Sequence, residues 1–464
     1  MSTSADSADT SALALARRSL TLFALILRGV WLYLAVALNN RGWWTSSPER
    51  MSARYSGFAR RFVDVATRFR GGLIKLGQVA SLRVDVIPDE ITDELARLQD
   101  RVTPHPWEEI EAQIRQELGG PWEQHFEAFE RVPIASASLG QVHRAISRGG
   151  ADLAVKVLYP GIERSVAVDL AMTRLALYGF NFVSPADLKQ VYREVRGSLL
   201  GEMDYLREGR AAEEIARNLA RDAELWSHLR IPTIDWATTR RRILSMEFIE
   251  GVKINDPGAL AQASSSGSEP VEVDDLVRWA TRAFLNMMFR DGFFHCDPHP
   301  GNLLVTPDGR LGIIDFGMNK RIAPEVMAAM RDNVIATVQR DAFAYAESLI
   351  AMDVVRERDR AAVIELAELS FDPEYFNLTP QELASLDFGE YFGRMRGHMK
   401  KIRGFQLPDG IVMWSRAFSL LYGLAVELSP GLRPLDVIGP YVIGFLQGPV
   451  LNSRVLEASD VESG

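Results

Sequence analysis

Residues 295–317 read HCDPHPGNLLVTPDGRLGIIDFG, and this stretch decides the fold. Pro298, Pro300 and Gly301 make its first third a rigid loop displaying His295, Asp297, His299 and Asn302, polar groups that are costly to hold unless they are used. The remainder, LLVTPDGRLGIIDFG, reads as a β-hairpin turning at Pro307-Asp308-Gly309. Asp315 ends the apolar strand Leu311–Ile314, where a carboxylate suits Mg2+ bridging two phosphates. A transition-metal site at His295, Asp297 and His299 is a competing reading, but no second His/Cys pair completes its shell. Cys296 as a nucleophile ranks lower still, because no activating partner with triad logic accompanies it.

Working outward, Asp297 and Asn302 are spaced as in the protein-kinase catalytic loop, where the Asp is the base and the Asn a metal ligand. Upstream, Lys156 sits in the apolar strand Ala154-Val155-Lys156. Such a lysine is usually a solvent-facing edge charge. It holds the α- and β-phosphates of a nucleotide when a helix carboxylate fixes it, and Glu202, Asp204 and Glu208 are the candidates. Asp204 and Glu208 share a helix face at i, i+4, whereas Glu202 points elsewhere. Met246-Glu247-Phe248 is an apolar strand running into Gly251, a plain core strand if taken alone. The ordered set is far more specific than any member.

Around these motifs the chain divides by pattern. Residues 46–130 read as helices, with ARRFVDVATRFRGGLIKLGQVASL broken at Gly71-Gly72. From about Val132, SLGQVHRAIS and ADLAVKVLY form a hairpin across Arg148-Gly149-Gly150. Ser184-Pro185 is read as opening one long amphipathic helix through about Ala220, followed by the strands IPTIDWA and RRILSMEFI. ALAQASSSGSEPVEVDD is a surface loop by composition, DLVRWATRAFLNMMFRDG a helix, and helices continue to the C-terminus. No internal repeat is visible. Strands with one helix first and helices afterwards describe an unequal, two-lobed α+β body.

The composition agrees with a globular chain: 464 residues, 47% hydrophobic and 24% charged, with a net charge of −9. That balance argues against a general nucleic-acid binder. One cysteine excludes an intrachain disulfide and a Cys-rich zinc module, and fits a reducing compartment. The charge is uneven. Residues 1–70 carry ten Arg against four acids, so a basic, apolar N-terminus (+6) precedes an acidic remainder (−15). Residues 1–12 read as a disordered tail. Ser19–Asn40 is about long enough to span a bilayer, but a central Arg28 costs ~2.5–3.5 kcal/mol there. Arg17, Thr21, Ala24, Arg28, Ala35 and Asn39 fall on one stripe, which suits a helix lying in the membrane interface with Trp31, Trp43 and Trp44 at headgroup depth. The alternative is a helix packed on the protein's own core.

These motifs resemble the ABC1/UbiB/AarF (ADCK) atypical kinases, a protein-kinase-like family tied to isoprenoid quinone biology. The likeness runs from about residue 50 to about 430 and rests on Lys75-Leu76-Gly77-Gln78 (KxGQ), Ala135-Ser136-Ala137-Ser138-Leu139-Gly140-Gln141 (the Ala-rich loop), Glu202-Met203-Asp204 (ExD) and the full HxDPHPGN. The resemblance implies an α+β, protein-kinase-like two-lobed fold with a helical N-terminal extension. Residues 1–45 would be the tail and membrane-associating helix, 46–130 the extension carrying KxGQ, 131–250 the N-lobe and 251–464 the mostly helical C-lobe. ATP and Mg2+ are the implied cofactors. Ala135, Ser136, Ala137, Ser138, Gly140 and Gln141 would meet ATP, with the Glu247 and Ile249 backbones on the adenine edge and Met246 as gatekeeper. Lys156, paired with Glu208, would contact phosphates, Asp297 would take the catalytic-base position, and Asn302 and Asp315 would hold Mg2+. Lys75 and Gln78 would regulate with Glu202 and Asp204, Lys75 reaching the ExD carboxylates over the site where a kinase binds peptide. That implies ATP hydrolysis or small-molecule and lipid work at the cytoplasmic side of a membrane. The expected partners are anionic membrane lipid, isoprenoid quinone precursors and a membrane biosynthetic complex, with no nucleic acid. Ser136 departs from the commoner triple alanine, and Cβ atoms where kinases carry glycines restrict the loop.

Overall fold

The computed structural model describes residues 11–40, 47–69, 71–81, 89–95, 104–180, 188–256, 272–371, 402 and 407–429. The N-terminal tail, Trp43, Trp44, Ser184-Pro185, most of the Ser-rich loop and the apolar stretch 435–451 lie outside them, as does the side chain of Gln78. The chain forms two compact units: Met1–Arg217 with His228–Glu269 and Gly301–Met318, and Asn218–Ser227 with Pro270–Pro300 and Asn319–Gly464.

The first unit begins with helices α1 (Ala12–Asn40), α2 (Pro48–Phe69), α3 (Gly72–Ser81), α4 (Asp89–Leu95) and α5 (Trp107–Leu118). A five-stranded antiparallel sheet follows, made of β1 (Phe126–Phe129), β2 (Ala135–Ser136), β3 (Gly140–Ser147), β4 (Asp152–Leu158) and β6 (Ile243–Glu247). The hairpin at Gly149-Gly150 pairs Val142 with Lys156, and Lys156 in turn pairs with Leu244. Between β4 and β6 come α6 (Ile162–Phe180), α7 (Leu188–Glu202), α8 (Tyr205–Leu219) and the short strand β5 (Leu229–Arg230). A second sheet orders β5, β9 (Leu311–Ile313), β8 (Leu303–Val305) and β7 (Val252–Lys253). One continuous core joins Ile110 and Ile114 of α5, Val155 and Val157 of β4 and Leu199 of α7.

The structure departs from the sequence reading at two helices and at IPTIDWA, which forms no strand beyond a single bridge at Ile234. The single helix ending near Ala220 is two helices: α7 stops at Glu202 and α8 restarts at Tyr205, with the Asp204 carboxylate accepting from Arg207 N–H at 3.3 Å. Aspartate favours this capping role over a helix interior, which explains the break. Helix α6 was not anticipated, because its β-branched Val166 and Val168 and its apolar run lack a clear amphipathic period.

Helix α1 settles onto α6 and α2 along one line: Arg18, Leu22, Leu25, Leu32 and Ala35 are buried. The expected polar stripe therefore divides, with Arg17, Ala24 and Arg28 exposed but Ala35 buried. At the buried start, Arg18 Nε and Nη2 donate to Asp169 of α6 at 2.6 and 2.5 Å, and Nη1 donates to the Phe69 carbonyl at 2.9 Å. Gly72 lies against that pair, since a Cβ there would meet Asp169 Oδ2 at 2.8 Å. The other face leaves Leu20, Phe23, Leu27, Trp31 and Leu34 exposed.

In the second unit, α9 (Ala223–Ser227) and α10 (Val273–Leu285) lead into a π-helical turn, Asn286–Asp291, where a purely α-helical continuation was expected. Arg282 ties the two helices by donating to Asp222 at 2.8 and 2.9 Å. Strand Phe293–His295 pairs antiparallel with Asn319–Arg321. Helices α11 (Pro324–Gln339), α12 (Ala342–Ala351), α13 (Arg360–Ser370) and α14 (Asp409–Leu428) complete it, α14 packing on α10. Among the described residues, Ala12–Val36 and Gly410–Leu428 are long and apolar enough to cross a membrane.

Candidate active site

Strand β4 delivers Lys156 from the middle of the first sheet, and the break before α8 delivers Glu208 to it. Lys156 Nζ donates to Glu208 Oε1 and lies 3.5 Å from Asp315 Oδ1. Glu208 is buried and the Lys156 side chain only 13% exposed, whereas Asp315 is 45% exposed. Burial works against the Lys156 charge, but the Asp315 and Glu208 carboxylates outweigh it and hold its pKa above the usual lysine value. Glu208 is pushed up by burial and by Asp315, a shift that Lys156 offsets in part.

A second lysine closes on the same group. Lys75 of α3 lies 3.0 Å from Glu202 Oε1 as an ion pair and donates weakly to Met318 Sδ at 3.5 Å. Burial raises the Glu202 pKa against the pull of Lys75, with Asp315 and Glu208 adding to the rise. Two ammonium groups thus face three carboxylates. Of the ExD pair only Glu202 takes Lys75; Asp204 caps α8 and lies 4.0 Å from Arg241.

Asn302 and Asp315 flank the β8–β9 hairpin at one end, where Leu303 pairs with Ile313 and Ile314 N–H donates to the Asn302 carbonyl at 3.2 Å. The Asp315 carboxylate and the Asn302 amide are hard oxygen donors of the kind that would suit Mg2+. Among the described residues, no three or more His, Cys, Asp or Glu side chains are grouped so as to hold a metal ion.

The Ala-rich loop is a tight turn beside this lysine. Ala137 N–H donates to the Gly140 carbonyl at 2.8 Å, and Tyr159 Oη donates to the Ala137 carbonyl at 3.1 Å. Any Cβ at Gly140 would strike the Val157 carbonyl at 2.5 Å, so the chain needs glycine there. Ser138 is buried. Gln141 is a strut rather than a projecting ligand: its Oε1 accepts from His105 N–H at 2.9 Å and its Nε2 meets His143 Nε2 at 3.0 Å. On β6, Met246 is buried against Ala154, and the Glu247 side chain is held by Arg230 and Thr233. Ile249 is buried just beyond.

The HCDPHP part of the motif belongs to the second unit. Asp297 N–H donates to His295 Nδ1 at 2.9 Å, which leaves the proton of that buried imidazole on Nε2. Cys296 is buried with its thiol toward the Phe294 carbonyl, the setting of an inert structural cysteine. Sequence reasoning missed Arg416 of α14, whose Nη2 donates to Asp297 Oδ1 at 2.9 Å. The contact spans 119 residues and carries no local signature. If Arg416 positions Asp297, Arg416→Met lowers kcat about ten- to hundredfold with the KM for ATP unchanged, as expected when a reacting group is misplaced. A parallel rise in KM would instead indicate disrupted nucleotide binding.

An antiparallel sheet bearing a Lys–Glu ion pair, with a DFG carboxylate beside it, defines a protein-kinase-like domain. The ABC1 atypical kinase-like domain matches residues 97–349, and the chain belongs to that family. It is 33% identical to the uncharacterized protein sll1770 of Synechocystis over 80% of this chain and 62% of that one. It is 30% identical to a probable protein kinase UbiB of Marinobacter nauticus, over 83% of this chain and 69% of that one. It is 31% identical to the chloroplastic ACTIVITY OF BC1 COMPLEX KINASE 7 of Arabidopsis thaliana, over 79% of this chain and 52% of that one. The chain thus spans about 62% and 52% of the Synechocystis and Arabidopsis proteins.

Proposed function

We propose that this chain binds MgATP and turns it over as an atypical kinase or ATPase on the cytoplasmic face of a membrane, in isoprenoid quinone or lipid metabolism. The observation that carries the reading is Lys156 held between Glu208 and Asp315. Lys156 serves as the phosphate clamp, Glu208 keeps it in place, and Asn302 with Asp315 offers oxygens to the ion. Mg2+ supplies neutralisation of the charge on the transferred phosphoryl group. Asp297, aimed by Arg416, accepts the proton of the attacking hydroxyl or water. The membrane part rests on the exposed apolar face of α1, on which Leu20 is 71% and Leu27 54% exposed, together with exposed Arg17 and Arg28. Quinone precursors as substrates rest on the family resemblance alone.

The Lys75–Glu202 pair supports a second reading, a nucleotide-switched scaffold in a membrane biosynthetic complex. Sustained phosphate release, measured with and without anionic liposomes, separates the two: an enzyme turns over repeatedly and faster with liposomes, and a scaffold only binds. Lys75→Ala unlocks Glu202 and is expected to raise autophosphorylation severalfold. Unchanged or abolished labelling would refute a restraining role for Lys75.

A further inference from the structure

Away from these residues, α6 and α7 of the first unit enclose a groove of about 1060 Å3. This is just above the usual range of small-molecule sites, roughly 300–1,000 Å3. Its floor is apolar and buried at Val166, Leu170 and Met203, and its walls carry Leu175, Tyr178 and Leu200, all exposed. Arginines 174, 196, 241 and 242 stand around it. The one carboxylate in the lining, Glu163, is taken by Arg242, which also reaches Glu117 at 2.9 Å. Arg174 lies over the Tyr178 ring at 5.3 Å, and Arg241 has only the 4.0 Å contact with Asp204. Three exposed guanidinium groups therefore surround an apolar trough without close carboxylate partners among the described residues. A small anion would leave the trough wet, and an uncharged lipid would leave the cations unanswered.

We infer that this groove binds one anionic amphiphile from the bilayer, a single-chain lipid phosphate, with its head on Arg174 and Arg196 and its chain along Leu170 and Met203. The bilayer is the source favoured by position, because α6 also carries α1 with its exposed apolar face. Met203 is the middle residue of ExD, so a chain lying on it bears on Glu202 and on the hold of Glu202 over Lys75. The binding rests on the groove alone. Its effect on turnover rests on the function proposed above, and the two are measured apart.

The test uses the full chain and 1-oleoyl lysophosphatidate below its micellar concentration, followed by titration calorimetry. We expect one saturable site, at least tenfold tighter than for 1-oleoyl lysophosphatidylcholine, and no binding of glycerol 3-phosphate. Arg174→Gln/Arg196→Gln and, separately, Leu175→Asp weaken binding at least tenfold; all three positions are exposed, so the fold tolerates them. Leu20→Ser/Leu27→Ser on α1 leaves the affinity unchanged. Equal affinity for the two lysolipids, groove variants within threefold of the parent, or loss of binding in the α1 variant would each overturn the assignment. Binding that leaves phosphate release unchanged overturns the coupling to Glu202 and leaves the groove standing. A chain that binds the lipid but never releases phosphate sinks the catalytic reading instead.

Discussion

Asp315→Asn is expected to leave the chain folded and to cut MgATP turnover by about 10²–10³, the usual cost of removing one preorganised charge from a phosphoryl-transfer or oxyanion site. Its carboxylate is 45% exposed and 3.5 Å from Lys156, so Lys156 retains its nearer partner Glu208 when the charge goes. The same substitution removes a repulsion, since Asp315 helps to raise both Glu202 and Glu208. Stability without ligand should therefore change little, while MgATP-dependent thermal stabilisation disappears. Asp308→Asn is the matched control. It sits in the turn of the same hairpin, where the Arg310 hydrogen bond, with Thr306, holds its carboxyl below the usual range. That group contributes stability above the unfolded value and loses it as pH falls below, so Asn costs a little stability at pH 7 and leaves turnover intact. Equal turnover in both variants would remove Asp315 from the site.

How much of this was legible in the sequence depended on whether a residue's role is written in its neighbours. The loop that carries Asp297 and Asn302 and the hairpin that ends at Asp315 were legible because prolines and glycines punctuate two short apolar runs. The β3–β4 hairpin was legible from Gly149-Gly150 and alternation. The partners were not. Glu202, read as pointing away from Glu208, comes to the same group because the helix breaks at Met203-Asp204, and one capping aspartate is a weak signal in a strongly helical run. Arg416 and Asp297 meet across 119 residues, and Arg18 and Asp169 across 151; no periodicity encodes either pair. The π-helical turn at Asn286–Asp291 was missed for a related reason, since one extra residue per turn shifts a helical pattern without erasing it.

Arg18→Met is expected to destabilise the first unit strongly. Arg18 and Asp169 have side chains 6% and 0% exposed, and removing one partner of a buried pair costs about 3–5 kcal/mol. Burial already raises the Asp169 pKa, and Arg18 opposes that rise through its hydrogen bonds and charge. Without Arg18 the carboxyl climbs further, and a group whose folded pKa exceeds its unfolded value loses stability as pH rises through the folded one. The loss should therefore grow as pH rises in urea unfolding. Arg18→Met/Asp169→Leu should recover most of it, because apolar replacement of a whole buried pair is often neutral or better. The same cycle decides what α1 does. A helix crossing the bilayer on its own has no use for an arginine folded back onto α6, and Arg18→Met would then leave the stability of the body unchanged. A helix fastened by Arg18, with Leu20 and Leu27 turned outward, predicts the full loss. It also predicts that α1 becomes open to proteolysis in the single variant and protected again in the double one.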